Sequence, residues 1–172
     1  MSHWQNDNQQ TLTKALKIIR AIPFTRGISL TGSQAERRAT AKSDIDLFVQ
    51  IEPDWIWSTR FFVTLIVHLA GIRRTNTDIA GKICLNWFAT FNAPADQKDR
   101  LYLQLWQATN KEGGSLKPFM EKMISILQGK YVEKLLKYYQ IKRIERDPRT
   151  HIIGSLVRHS DQELGFHPPK NR

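Results

Sequence analysis

Two β-prone segments flank a short helix-forming segment, and this order constrains the fold more than any other feature of the chain. The first segment covers residues 27–31 and ends at Gly32 and Ser33. Good helix formers follow over residues 34–39, and a second β-prone segment covers residues 44–51. A strand, a tight turn, a helix and a strand in succession predict a core in which helices pack on a small sheet.

Further elements are predicted around this unit. An amphipathic helix precedes the first strand, because apolar residues recur there at helical spacing: Leu12, Ala15, Leu16 and Ile19. Residues 55–70 form a second, strongly apolar helix, and residues 82–91 form a third β-prone segment. We therefore expect the α/β (α+β) class, with a small mixed sheet flanked by helices over residues 1–95.

The rest of the chain shows helical periodicity. It covers residues 99–108, 115–128 and 130–146, with breaks at Gly113-Gly114 and at Gly129. No β-prone segment is apparent after about residue 95. Residues 96–172 are therefore predicted to form a helical C-terminal region, and residues 166–172 a short tail.

Cysteine content and the longest apolar stretch exclude several classes of protein. Cys84 is the single cysteine, so it cannot form an internal disulfide, and no cysteine–histidine spacing fits a zinc site. Arg60 and His68 interrupt the apolar stretch over residues 55–72, and the polar residues 1–10 do not resemble a signal peptide. We expect a cytoplasmic protein that does not enter a membrane.

The chain is basic, and the excess charge is concentrated. Lys and Arg number 26 against 16 Asp and Glu, a formal net charge of +10, and residues 111–149 alone hold ten basic and five acidic groups. Such a region suits an anionic partner. Tyr131, Tyr138 and Tyr139 accompany these lysines, a mixture typical of RNA-binding surfaces. An amphipathic helix with a solvated basic face is the alternative interpretation, and the commoner one.

Asp44 and Asp46 begin the second predicted strand. Residues two apart in a strand point to the same face, so these carboxylates should lie side by side. Neighbouring carboxylates repel each other unless a cation lies between them, and hard oxygen ligands suit Mg²⁺ or Mn²⁺. Two solvated acids at a strand end are the alternative, but the nearby Gly-Ser turn favours a metal site.

The turn itself is suited to phosphate. Gly32 lets the backbone approach a ligand closely, and Ser33 begins a predicted helix whose free N–H groups favour an anion. Lys42 lies next to the two acids and is the basic side chain best placed to contact a triphosphate, with a merely exposed lysine as the alternative. A phosphate site beside a metal site is therefore predicted.

Gly32-Ser33, ten intervening residues and Asp44-x-Asp46 together resemble the signature of the nucleotidyltransferase superfamily, which has a polymerase-beta-like fold. The resemblance covers residues 24–92. It implies that Gly32 and Ser33 hold a nucleoside triphosphate, with ATP expected first, and that the catalytic residues Asp44 and Asp46 bind Mg²⁺ or Mn²⁺. It also implies transfer of a nucleoside monophosphate to an acceptor hydroxyl with loss of pyrophosphate. The acceptor is left open.

The chain departs from this family at one position. Catalytic members usually carry a third carboxylate on a later strand, and the corresponding polar residue here is Asn86, which cannot take a proton near neutral pH. Asp78 is the nearest acid and is predicted in the turn before that strand. Two hypotheses remain: a nucleotidyltransferase, or a weakened module that binds nucleotide, RNA or a protein partner. A different Mg²⁺ enzyme acting on a sugar nucleotide is disfavoured by the Gly-Ser turn.

Overall fold

The structure is a computed structural model, and it describes residues 3–91, 93, 103–108, 116–152 and 155–167. The helices in these ranges are α1 (His3–Ala21), α2 (Gly32–Ala35), α3 (Ile56–Leu69) and α4 (Leu116–Glu145), followed by a 3₁₀ turn (Pro148–His151). The strands are β1 (Thr25–Leu30), β2 (Ile45–Ile51), β3 (Ile83–Thr90), β4 (Leu103–Gln107), β5 (Leu156–His159) and β6 (Glu163–His167). The predicted α+β class is confirmed.

The strands form one mixed sheet in the order β4-β1-β2-β3-β6-β5. β2 and β3 pair in parallel, whereas the other neighbouring strands pair antiparallel. The parallel pair requires a crossover, and α3 supplies it. The predicted mixed sheet is therefore confirmed.

Helices α1, α3 and α4 pack on one face of this sheet around a shared apolar core. Alternate residues of β2 are buried in that core: Ile45, Leu47, Val49 and Ile51. Because successive strand residues point to opposite faces, Asp46 and Phe48 point away from the helices. Phe48 stacks there on Trp87 with ring centroids 4.0 Å apart. Asp46 thus lies on the face of the sheet opposite the helices.

β4 corrects a sequence-based expectation. Residues 99–108 were predicted as a helix, but residues 103–107 form a strand that pairs with β1, with Leu30 opposite Leu103. A segment of five residues is too short for its periodicity to distinguish helix from strand. The unpaired backbone groups along the edge of β1 offer hydrogen bonds that a helix would leave unused. Residues 99–102 lie outside the described residues.

α4 corrects a second expectation, because it continues through Gly129 where a break was predicted. One glycine inside a helix costs only about 1 kcal/mol relative to alanine. Buried contacts later in α4, through Gln140 and Ile144, offset this cost. The two predicted helices are therefore one helix of 30 residues. The break predicted at Gly113-Gly114 lies outside the described residues.

The hairpin of β5 and β6 corrects a third expectation, that no strand follows residue 95. β6 pairs with β3, with Trp87 opposite Gly165, and Leu164 is fully buried. Phe166, predicted in the tail, lies in β6, whereas residues 168–172 lie outside the described residues. Strands from both sides of residue 95 thus share one sheet, and the division of the chain at that residue stays a prediction.

The helix predicted over residues 34–39 is shorter and begins earlier. It is the single turn α2, Gly32–Ala35, and Arg37 follows it with a φ of +56° in the left-handed region. A helix cannot continue through that conformation.

None of the described helices has the length and apolar character needed to cross a membrane.

Candidate functional site

Asp44 and Asp46 lie where β2 begins, on the face of the sheet opposite the helices. In the parallel pairing of β2 with β3, Asp46 lies opposite Cys84. One oxygen of each carboxylate and the Sγ of Cys84 all lie within 4.8 Å of one another. The two-residue spacing thus brings the carboxylates together, as expected of a strand.

Asn86 reaches the same place through a β-bulge. Leu47 lies opposite Leu85 and Phe48 lies opposite Trp87, so Asn86 is an extra residue in β3. Bulges of this kind redirect a side chain relative to the regular ladder. The Nδ2 of Asn86 donates a hydrogen bond of 2.7 Å to Oδ1 of Asp46. The residue singled out as the third position therefore contacts the carboxylate pair.

Arg74 contacts the other carboxylate. Its Nη1 donates to Oδ2 of Asp44 over 2.6 Å, and it also lies 3.8 Å from Sγ of Cys84. Sequence reasoning missed this residue, because no spacing rule connects a loop arginine with an acid 30 residues earlier. Its place in the segment that leads to the third predicted strand was the only signal in the sequence that pointed to it.

Gly32 is in contact with Asp46. Its φ is +64°, and a Cβ on Gly32 would lie 2.2 Å from Oδ2 of Asp46. The backbone N–H of Thr31 donates to the carbonyl oxygen of Asp46 over 3.0 Å, which ties the turn to β2. Only glycine therefore permits this close approach of turn and carboxylate.

Burial and mutual repulsion alter the acidity of the cluster. Burial first, and then the charge of Asp44, raise the pKa of Asp46 to about 6, although Cys84 and Arg74 oppose the rise. Burial and the two carboxylates raise the pKa of the Cys84 thiol to about 12. The thiol is therefore protonated near neutral pH, and it offers a hydrogen-bond donor rather than a thiolate ligand.

The donor set fits a hard divalent cation. Two carboxylates and the amide oxygen of Asn86 are the oxygen ligands that Mg²⁺ and Mn²⁺ prefer. The Oδ1 of Asn86 is buried and has no hydrogen-bond partner among the residues that the structure describes. A cation between the carboxylates would relieve the repulsion between Asp44 and Asp46. The amide of Asn86, whose Nδ2 faces Asp46, would have to turn over to present its Oδ1 to that cation.

Three other residues were considered from the sequence: Ser33, Lys42 and Asp78. Ser33 is half-buried in the single turn α2, directly after Gly32. Lys42 is exposed, and its ammonium group contacts none of the described carboxylates. Asp78 lies in the turn before β3, as predicted, and pairs with Lys82 over 3.1 Å. Asp78 is thus not brought to the cluster.

Comparison of the chain with protein-family models, curated proteins and solved structures yields no match. Interpretation of the site therefore depends on its own chemistry. That chemistry consists of two adjacent carboxylates, a glycine turn in contact with one of them, and an amide and a guanidinium that complete the cluster.

Proposed function

We propose that the chain binds a nucleoside triphosphate together with Mg²⁺ or Mn²⁺ at this site, and transfers the nucleoside monophosphate to an acceptor hydroxyl. The contact between Gly32 and Asp46 carries the proposal, because it sets the Gly-Ser turn, for which phosphate binding is predicted, directly beside a carboxylate pair. Asp44 and Asp46 would hold the cation, and the amide of Asn86 would join them by turning its oxygen toward it. ATP is the first triphosphate to test.

In this reaction the acceptor oxygen forms a bond to the α-phosphorus of the triphosphate. The bond from that phosphorus to the oxygen bridging to the β-phosphate breaks, pyrophosphate leaves, and the hydroxyl proton passes to water. A bound divalent cation supplies Lewis-acid stabilisation of the negative charge that develops. Gly32 and Ser33 would orient the phosphates through their backbone N–H groups.

Arg74 has two roles in this proposal. Without ligand, its guanidinium neutralises Asp44 over 2.6 Å. With cation and triphosphate bound, the same guanidinium is suited to the phosphate oxygens, since its planar N–H groups match their geometry. We expect Arg74→Gln to weaken triphosphate binding more than it changes cation binding.

Label transfer is the direct test. The protein is incubated with each of ATP, GTP, CTP and UTP, labelled at the α-phosphate, with Mg²⁺ or Mn²⁺ and candidate acceptors. Asp44→Asn combined with Asp46→Asn is expected to abolish transfer, whereas Asp78→Asn is the matched control because Asp78 is an exposed acid outside the cluster. Absence of both triphosphate binding and label transfer would contradict the proposal.

Asn86→Asp tests whether Asn86 occupies the position of a third carboxylate. The new charge would lie beside Asp46, so without a cation we expect a lower Tm through repulsion. With Mn²⁺ present we expect roughly tenfold tighter cation binding, because affinity rises with the number of charged ligands. Calorimetric titration measures the affinity, and label transfer should increase with it.

Asn86→Ala is the control for that variant, because it removes the hydrogen bond to Asp46 without adding charge. It should lower the Tm without any gain in cation affinity. If Asn86→Asp alters neither cation affinity nor transfer, Asn86 does not occupy the third position.

A second candidate function is binding of nucleotide or RNA without turnover. Asn86 in place of an acid supports it, and so does the surface of α4. Tyr131, Tyr138 and Tyr139 are all more than half exposed, and the Nζ of Lys142 lies 4.3 Å from the ring centroid of Tyr138. Exposed aromatic rings beside lysines can stack on unpaired bases and attract phosphates.

RNA affinity at several salt concentrations separates the two candidates. Binding without turnover predicts salt-dependent affinity that survives Asp44→Ala with Asp46→Ala and falls in Tyr138→Ala. Phe62→Ala is a matched control, since Phe62 is also exposed but lies on α3. Binding that is absent or insensitive to salt would exclude this candidate.

A further inference from the structure

A cleft of about 360 Å³ opens between α1 and the unit formed by β1, α2 and β2. Its apolar lining comes from Leu12 of α1, Leu30 of β1 and Ile45 of β2. These side chains belong to the central core or pack against it. Small-molecule sites are clefts of this size in which apolar walls are combined with a few polar groups. The cleft therefore has the dimensions and the walls of a ligand site.

Three amide side chains supply the polar part of the lining, namely Asn8 and Gln9 of α1 and Gln34 of α2. The Nε2 of Gln34 is buried, and it has no hydrogen-bond partner in the described part of the chain. A buried donor without a partner is unfavourable, so rotation of this amide toward an acceptor in the cleft would be favourable. Because amides both donate and accept, the three suit a ligand whose polar edge carries donors and acceptors side by side.

Charge narrows the class of ligand. Of the lining residues that the structure describes, Arg37 alone is charged and none is acidic. Arg37 is exposed at the rim, and it forms no ion pair with a described carboxylate. A ligand with an ammonium group would find no counter-charge here. An acyl chain would leave the amides unused, and a sugar would bury hydroxyls against the apolar walls.

We propose that this cleft binds a nucleobase. The two faces of a base are apolar and suit the leucine and isoleucine walls, whereas its edge carries the donors and acceptors that Asn and Gln amides pair with. Arg37 at the rim suits a phosphate that is attached to the base through its sugar. The cleft is separate from the carboxylate cluster, because Ile45 faces the helices and Asp46 faces the other side of the sheet.

Thermal unfolding with adenosine, guanosine, cytidine or uridine tests the proposal. EDTA is present to remove divalent cations, and ribose is the control ligand. At about ten times its dissociation constant, at least one nucleoside should raise the Tm of the wild-type chain by roughly 3–5 °C, whereas ribose should not. Calorimetric titration then gives the dissociation constant of that nucleoside.

Gln9→Leu and Gln10→Leu are a matched pair, because both residues are exposed glutamines of α1 and only the first of them lines the cleft. Gln9→Leu and Gln34→Leu should each weaken nucleoside binding by roughly three- to tenfold, whereas Gln10→Leu should bind as the wild type does. Asn8 is left unchanged because it also packs against Gly81, where a Cβ would lie 2.6 Å from its Oδ1.

Asp44→Asn with Asp46→Asn should keep full nucleoside binding in EDTA, so failure of the proposed nucleotide transfer would not be confused with failure of the cleft. A Tm rise no larger with any nucleoside than with ribose would overturn the proposal. Equal nucleoside affinities of the wild type, Gln9→Leu and Gln34→Leu would overturn it too.

The source of the base is distinguished by titration of the matching triphosphate with Mg²⁺. If Gln34→Leu weakens the triphosphate and the nucleoside by the same factor, the base is that of the triphosphate, an outcome that rests on the proposed function. If Gln34→Leu weakens only the nucleoside, the cleft binds a separate nucleoside. Both outcomes support a nucleobase site.

Discussion

Gly32 tolerates substitution less than its position in a surface turn suggests. A Cβ there would lie 2.2 Å from Oδ2 of Asp46, and the φ of +64° is itself unfavourable for other residues. We expect Gly32→Ala to lower the free energy of unfolding by about 2–4 kcal/mol, of which ~1–2 kcal/mol comes from the left-handed backbone and the rest from the clash. Urea denaturation measures this loss in the free energy of unfolding.

Gly71→Ala is the matched control for this prediction. Gly71 has a φ of +72°, but nothing lies within 4 Å of the position of its Cβ. It should therefore lose only about 1–2 kcal/mol, the backbone contribution. Equal losses in the two variants would show that Gly32 and Asp46 are not in contact.

The stability of the chain should depend on the charge of Asp46. Burial and Asp44 raise the pKa of Asp46 from 3.8 to about 6. Between these pH values the folded chain binds more protons than the unfolded chain, so the free energy of unfolding falls as the pH rises, and the loss persists above pH 6. Asp46→Asn should therefore raise that free energy at pH 7 by roughly 1–3 kcal/mol.

Denaturation at two pH values checks the sign of this effect. Near pH 4 Asp46 is protonated in the folded chain, so Asp46→Asn should change the stability little. Asp78→Asn, in an exposed turn, should have little effect at either pH. A lower stability of Asp46→Asn at pH 7 would contradict the raised pKa.

An ion pair links α4 to the sheet. Arg26 of β1 donates through Nη1 and Nη2 to the two carboxylate oxygens of Glu121, each over 2.8 Å. The backbone N–H of Phe24 also donates to Glu121, over 2.7 Å. Burial alone would raise the pKa of Glu121, but these donors outweigh it and lower the pKa. This pair therefore joins the first half of α4 to the sheet.

Glu121→Gln should lower the free energy of unfolding by about 2–3 kcal/mol, because it leaves Arg26 partly buried with only Glu52 as a charged partner. The pair between Lys82 and Asp78 is its control, since Asp78 is exposed and such pairs contribute at most about 1 kcal/mol. Urea denaturation of Glu121→Gln and Asp78→Asn compares them. Equal losses would mean that Glu121 does not anchor α4.

For the molecule as a whole, the question is whether the C-terminal hairpin unfolds with the rest of the sheet. Leu164 of β6 is fully buried and belongs to the same core cluster as Ile45 of β2 and Val63 of α3. We expect Leu164→Ala to lower the free energy of unfolding by about 2–4 kcal/mol in one cooperative transition. Circular dichroism and tryptophan fluorescence should give the same midpoint.

Ile152→Ala is the control, because Ile152 follows the 3₁₀ turn and is 52% exposed. It should change the stability by less than about 0.5 kcal/mol. Two separate transitions in Leu164→Ala would mean that the region after residue 95 folds as its own unit, as the predicted division of the chain suggests.

Prediction from sequence succeeded where the signal was local. The β-prone character of residues 44–51 identified β2, and the spacing of Asp44 and Asp46 placed their carboxylates on one face. It failed for Leu103–Gln107, where a short segment fits either periodicity and the free edge of β1 selects the strand. It failed again at Gly129, where tertiary contacts of α4 offset the cost of a glycine.

Local residue order was therefore enough to name most residues of the candidate site. Gly32, Asp44, Asp46 and Asn86 could each be named before any fold was known. Tertiary structure alone decided that Arg74 neutralises Asp44 and that a bulge brings Asn86 to Asp46. These contacts join residues far apart in the chain. No periodicity or spacing records them, because they depend on which strand edges and helix faces meet.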